Sequence, residues 1–208
     1  MKIIPRLLYS LALLCVSVSA AAQGSQAGRT TTFVSFGNSM GGDVLVSGKY
    51  TNTGKDFTLR AGQGLQAMLG MQYQWSNTWS AQAAVGFHFD KTNGSNFNFK
   101  YSRIPLEVMA HYAINDDWRV GAGLRYSLSA KFKSDGDLAY LGTSKLQASP
   151  GGIAEVQYML APLSESGAGR GASGGLSLKL VDESFKVKGA STVERNGQHW
   201  ALSLFSYF

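Results

Sequence analysis

Cysteine, histidine and proline are all scarce in this chain: one, three and four among 208 residues. The single cysteine, Cys15, falls in an N-terminal stretch that reads as a cleaved leader. The mature chain then has no disulfide, no thiol nucleophile and no thiolate metal site. Beyond that leader no hydrophobic run is long enough for a membrane helix, so any membrane crossing must be made by strands. Charge is thin as well, at 15% of residues. The formal net charge of +6 falls to +4 once Lys2 and Arg6 leave with the leader, and no basic cluster is long enough to suggest nucleic acid. What is plentiful is glycine, at 25, and aromatic residues, at 12%, which is a β-rich balance.

Lys2 and Arg6 form a positive n-region, Leu7 to Val18 an apolar core, and Ala20-Ala21-Ala22 a small-residue cleavage site before Gln23. Residues 1–22 are thus expected to be a cleaved signal peptide, and 23–208 a single domain of about 185 residues. Lipidation at Cys15 would need a small residue before it, and Leu14 stands there.

The middle of the chain alternates with period two. Leu65, Ala67, Leu69, Met71, Tyr73 and Trp75 share one face; Gln66, Met68, Gly70, Gln72 and Gln74 share the other. After Ser76-Asn77-Thr78 the pattern restarts with Trp79, Ala81, Ala83, Val85, Phe87 and Phe89. Trp118 to Phe132 repeats it, with Arg119, Gly121, Gly123, Arg125, Ser127, Ser129 and Lys131 opposite the apolar face. Such runs exceed the ~5–6 residues of an ordinary strand and match the ~10-residue alternating segments of membrane barrels. Ile104 to Tyr112 forms a further strand. Phe97, Phe99 and Tyr101 have the opposite parity, so a bulge near Ser102-Arg103 is expected. Ala154–Leu160, Leu176–Leu180 and Trp200–Phe208 add three more strands. The first strand is either Thr31–Phe36 or Asp43–Tyr50, or both with a break at Gly41-Gly42, and the count is eight.

The same pattern fits a soluble barrel with its apolar face inward or a membrane barrel with that face on lipid. Three features favour lipid. Trp75, Trp79, Tyr112 and Trp118 cluster at strand ends, as an interfacial aromatic girdle does. The opposite face mixes small residues with charges of both signs, which suits the narrow interior of eight strands. The links alternate short (Ser76–Thr78, Asn115–Asp117) and longer (near Gly48–Phe57, Lys91–Asn96, Lys133–Pro150, Ser184–Gly197), except that Pro162–Ser173 is long where a short turn belongs.

Trp200, Leu202, Leu204 and Phe208 fall on one face of a last strand that ends on an aromatic. This ending resembles the C-terminal signature of outer-membrane β-barrels, departing from it at Ser206. Arg103-Ile-Pro-Leu-Glu107 through Tyr126 and the Trp-flanked hairpin around Asn77 resemble the small outer-membrane barrels of the OmpA-transmembrane, OmpX and opacity-protein type. The resemblance covers about residues 30 to 208. It implies an all-β fold, an eight-stranded antiparallel transmembrane β-barrel with short periplasmic turns and longer surface loops, integral to the bacterial outer membrane. It also implies a monomer whose partners are the lipid bilayer, the barrel-assembly machinery through the C-terminal strand, and an unidentified surface ligand. Family members are structural, adhesive or resistance proteins, and a few modify lipids; fold does not choose among them.

No enzyme motif is complete. A deacylase-type His followed two residues on by Ser fails at His199, where position 201 is Ala; His88 and His111 also lack it. The three histidines read as hydrogen-bonded lumen residues. Asp116-Asp117 reads as a turn former, Asp135 and Asp137 as loop polarity, and Gly167–Gly171 as a flexible link without the Lys-Ser/Thr of a phosphate loop. No catalytic residue, metal or cofactor is expected. The candidate site is a lumen charge network of Arg103, Glu107, Arg119, Arg125, Lys131, Glu155 and Lys179, with Lys179, Arg103 and the other cations also facing Glu183 and Asp90. Mixed signs suit a plug, because burying one sign alone costs several kcal/mol per ion. The expected role is non-enzymatic, in envelope integrity or surface interaction. A narrow ion or solute channel is the alternative, with a lipid-modifying enzyme or a soluble lipid carrier behind it.

Overall fold

The computed structural model describes residues 28–49, 54, 56–93, 97–136, 142–160, 173–187 and 194–208. The expected leader, Asp137, Gly167–Gly171 and the Pro162–Ser173 link up to its last residue lie outside them. The strands are β1 Arg29–Gly41, β2 Val44–Lys49, β3 Asp56–Arg60, β4 Gly64–Gln74, β5 Trp79–Asn93, β6 Phe97–Ala113, β7 Trp118–Gly136, β8 Thr143–Leu160, β9 Ser173–Val187, β10 Glu194–Asn196 and β11 His199–Tyr207. Eight of them, β1 and β4 to β9 with β11, pair in a ring that closes where β11 meets β1, every pair antiparallel. The closure is tight: Thr32 N–H donates to the Phe208 carbonyl at 3.0 Å and Phe208 N–H returns a bond to Thr32 at 2.9 Å.

Both candidates for the first strand are strands, in different roles. Thr31–Phe36 belongs to barrel strand β1, whereas Val44–Lys49 pairs only with β3 in a separate hairpin. Gly41 (φ 129°) and Gly42 (φ 77°) turn the chain out of the ladder between them, a conformation that side-chain-bearing residues resist. The segments near Lys91–Asn96 and Lys133–Pro150, read as loops, are largely continued strand: β5 runs to Asn93, β7 to Gly136, and β8 begins at Thr143. Polar residues on both faces hid these extensions from a hydrophobic pattern.

The apolar face is outside. Phe36, Leu69, Phe87, Val108, Leu124, Leu128, Leu178, Leu202 and Leu204 are all exposed, on strands right around the ring. An apolar belt this large has no place in water, and it reverses the arrangement a soluble lipid carrier requires. From Trp79 to Phe89 the outward positions of β5 span roughly 33 Å of strand, or about 25 Å of height at a ~40° tilt, the thickness of an outer-membrane apolar band. At the turn end Trp75 stacks on Trp79 (6.3 Å), Trp79 meets Tyr112 (5.0 Å) and Trp118 meets Tyr158 (4.9 Å). The turns there are held by side chains: Ser76 Oγ accepts from Trp79 N–H, and Asn115 Oδ1 accepts from Asp117 and Trp118 N–H.

The bulge expected near Ser102-Arg103 is on a different strand. β6 keeps one parity throughout, so Phe99, Tyr101, Arg103, Glu107 and Met109 all point inward. The extra residue is Leu128 of β7, since Ile104 pairs with Ser129 and Pro105 with Ser127. A second irregularity lies in β8 at Pro150-Gly151, between the Ser149–Ser184 and Gly152–Asp182 pairs. Each bulge has a proline beside or within it, as expected of a residue that cannot donate to a ladder. Beyond each bulge the faces exchange. Ala130 and Ala148 turn inward, and Lys131, Lys133 and Lys145 turn out to solvent.

Candidate functional site

The lumen is packed in layers. At the end away from the short turns, the β2–β3 hairpin and the residue after it contribute Leu59 and Ala61 to an apolar cap with Phe99, Tyr101, Ala130, Ala148 and Phe185. Nearer the turns, Phe33, Met68, Ala84, Met159, Phe205 and Tyr207 form a second apolar layer. Between the two lies a polar layer of Arg103, Glu107, Arg125, Glu155, Lys179 and Glu183, three cations and three carboxylates, all fully buried.

These six side chains form one connected network. Glu107 accepts from Arg125 Nη1 through Oε1 and from Lys179 Nζ through Oε2 at 2.7 Å. Lys179 also lies 3.8 Å from Glu155 Oε1, whose other oxygen meets His111 Nε2 at 2.9 Å. Glu183 accepts from Arg103 Nη1 at 3.0 Å, and Arg125 Nε is 3.5 Å away. Its second oxygen takes the Ser127 N–H at 2.8 Å, beside the Leu128 bulge. The bulge and the charge network are therefore one construction: the backbone irregularity presents a donor to a buried carboxylate.

The histidines extend the network without forming a catalytic set. Arg103 Nε donates to His88 Nδ1 at 2.8 Å, which places the ring proton of His88 on Nε2, toward Gln63 O at 3.1 Å and Ser39 Oγ at 3.0 Å. His199 Nδ1 donates to Gly197 O at 2.7 Å, leaving Nε2 to face Arg103 Nη2 at 3.3 Å. The Ser39–His88 contact lies beneath the apolar cap, with both residues buried. Among the described residues no group of three His, Asp or Glu side chains is arranged to hold a metal.

Of the seven residues expected in the lumen network, the structure brings together Arg103, Glu107, Arg125, Glu155 and Lys179. Arg119 is elsewhere, at the turn-end mouth, with its guanidinium 5.8 Å from the Tyr207 ring. There it lines a cavity of about 210 Å³ with Arg29, Thr31, Gln72, Gln74, Ser173 and Tyr207. Lys131 is corrected to the outside of the barrel, because the Leu128 bulge reverses the parity on which its inward placement rested. Asp90 is half-buried and its Oδ1 accepts from the Lys91 N–H, apart from the network. Asp135 pairs with Lys133 at 2.8 Å on the outer wall. Glu183 is the central carboxylate that holds Arg103 to Arg125. Trp75, Trp79, Tyr112 and Trp118 ring the turn end, and Trp200, Leu202, Leu204 and Phe208 all point outward.

No family model and no curated protein matches the sequence. Among solved structures the chain is similar to Ail, the attachment invasion locus protein of Yersinia pestis, solved in complex with the heparin analogue sucrose octasulfate. Identity is 13%, the match covers 88% of this chain and 100% of that one, and the TM-score is 0.46. It is also similar to the outer membrane protein OprG of Pseudomonas aeruginosa, at 16% identity over 90% of this chain and 98% of that one, with a TM-score of 0.46. At TM-scores below 0.5 the functional reading rests on the barrel's own geometry.

Proposed function

We propose that the protein is a non-enzymatic, non-conducting barrel of the bacterial outer membrane, exported with a cleaved leader, acting as a monomer in envelope integrity or surface interaction. One observation carries this reading: at mid-height the lumen holds three buried cations ion-paired with three buried carboxylates, with an apolar cap above and an apolar layer below. Eight strands leave a bore that side chains can fill, and these side chains fill it. The complete ring leaves no barrel strand edge to recruit a second copy. Any partner contact then falls to the β2–β3 hairpin and the strand extensions at that end. In the same reading Trp200, Leu202, Leu204 and Phe208 engage the assembly machinery before β11 closes on β1.

Purified full-length mature protein, run on a detergent gel with and without boiling and then reconstituted in planar bilayers, tests this. The expected result is a heat-dependent mobility shift and no steady conductance. Discrete conductance steps that Arg125→Glu removes would overturn the plug and establish the channel alternative.

A further inference from the structure

Five lysines form a patch on the outer wall just beyond the lipid-facing band. Lys91 of β5 pairs directly with Lys100 of β6, and Lys100 pairs with Lys133 of β7. One step toward the membrane, Lys131 of β7 pairs with Lys145 of β8. All five side chains are exposed. Three of the five owe that placement to the bulges, since without the parity exchange in β7 and β8 they would point into the lumen. Three adjacent strands thus carry lysines side by side, where directly opposed like charges cost stability. Among the described residues the patch has one carboxylate partner, Asp135 on Lys133, so it carries four uncompensated positive charges.

We infer that this patch binds the phosphates of the lipid in the leaflet that the hairpin end enters. The inference rests on the membrane-barrel reading above. Position selects this occupant: two outward positions nearer the bilayer than Lys91 and Lys100 stand the exposed apolar Phe87 on β5 and Ile104 on β6, and the β7 bulge just below Lys131 exposes Leu128 in the same band. The ammonium groups therefore lie laterally at headgroup height, not on the top of the molecule. Phosphates at that height relieve the cross-strand repulsion, and each lysine at an anionic surface strengthens binding roughly fivefold.

The test uses the mature protein in mixed micelles containing diphosphorylated lipid A, its dephosphorylated form, or heparin. Binding and thermal loss of the unboiled gel form are measured for wild type and for the variant K91Q/K100Q/K131Q/K133Q/K145Q. The diphosphorylated lipid is expected to raise the midpoint of wild type. The variant should stay heat-modifiable, bind at least tenfold more weakly and show no rise, while the matching lysine-to-arginine variant keeps both. If the fivefold variant does not fold, K131Q/K145Q and K91Q/K100Q carry the same comparison, each with a partial loss. Equal responses of wild type and variant, equal responses to both lipid forms, or a response to heparin alone would each overturn the inference. A wild type that shows no gel shift would instead overturn the membrane-barrel reading itself.

Discussion

Replacing Glu107 by Gln probes whether the charged layer is a mutually dependent unit. Among the described residues Glu107 is the one carboxylate bonded to both Arg125 and Lys179. The substitution keeps shape and removes charge, leaving three buried cations against two carboxylates. At 2.7 Å and an effective dielectric near 20, the Lys179 contact alone is worth about 6 kcal/mol of Coulomb energy, most of which offsets desolvation. Removing one partner of a buried pair costs about 3–5 kcal/mol net. The lower figure applies here, because Lys179 keeps Glu155 at 3.8 Å and Arg125 keeps Glu183 at 3.5 Å. Lys179→Met should cost a similar ~3 kcal/mol. The double variant restores neutrality, so it should lose no more than about 4 kcal/mol, a coupling of about 2–3 kcal/mol. Urea unfolding in lipid vesicles, followed by tryptophan fluorescence, measures all three. A Glu107→Gln loss below about 1 kcal/mol, or strict additivity in the double variant, would refute the idea that these charges survive burial only as a balanced set.

Three further outcomes are expected. Leu124→Arg, midway along the lipid-facing part of β7, should destabilise the inserted barrel by about 2–4 kcal/mol in the same urea assay, whereas Lys131→Gln should change it little. Deleting Phe208 removes both closing backbone bonds to Thr32, so the yield of heat-modifiable protein in outer-membrane fractions should fall sharply; an unchanged yield would remove the C-terminal residue from the assembly argument. Gly121→Val places a side chain into the His111 ring and should dislodge His111 from Glu155, read as a shift of the His111 ring signals in NMR together with a lower urea midpoint.

Several features of the barrel are legible locally. Alternation at period two is a property of a single strand, so Leu65–Trp75, Trp79–Phe89 and Trp118–Leu128 could be read, and their outer faces identified, without knowing their neighbours. The strand number, the aromatic ends, and the lumen side of Arg103, Glu107, Arg125, Glu155 and Lys179 follow from the same periodicity. Lys131 escaped this logic because a one-residue bulge reverses parity while leaving the spelling of the strand unchanged. Pro105 and Pro150 were the available clues to the two irregularities. Neither proline says which strand holds the extra residue, since that is decided by the hydrogen-bond register between strands.

What the amino-acid order determined by itself is therefore most of the membrane-facing surface and the inward side of Arg103, Glu107, Arg125, Glu155 and Lys179. What only the tertiary structure decided is who meets whom: Glu183 bridging Arg103 and Arg125, the β2–β3 hairpin capping the lumen, Arg119 at the far mouth, and five lysines assembled on one wall. The physical reason is range. A strand's faces are set by its own backbone within a few residues, whereas contacts across a closed barrel depend on the register of every ladder around the ring, and a single bulge changes them all on its far side.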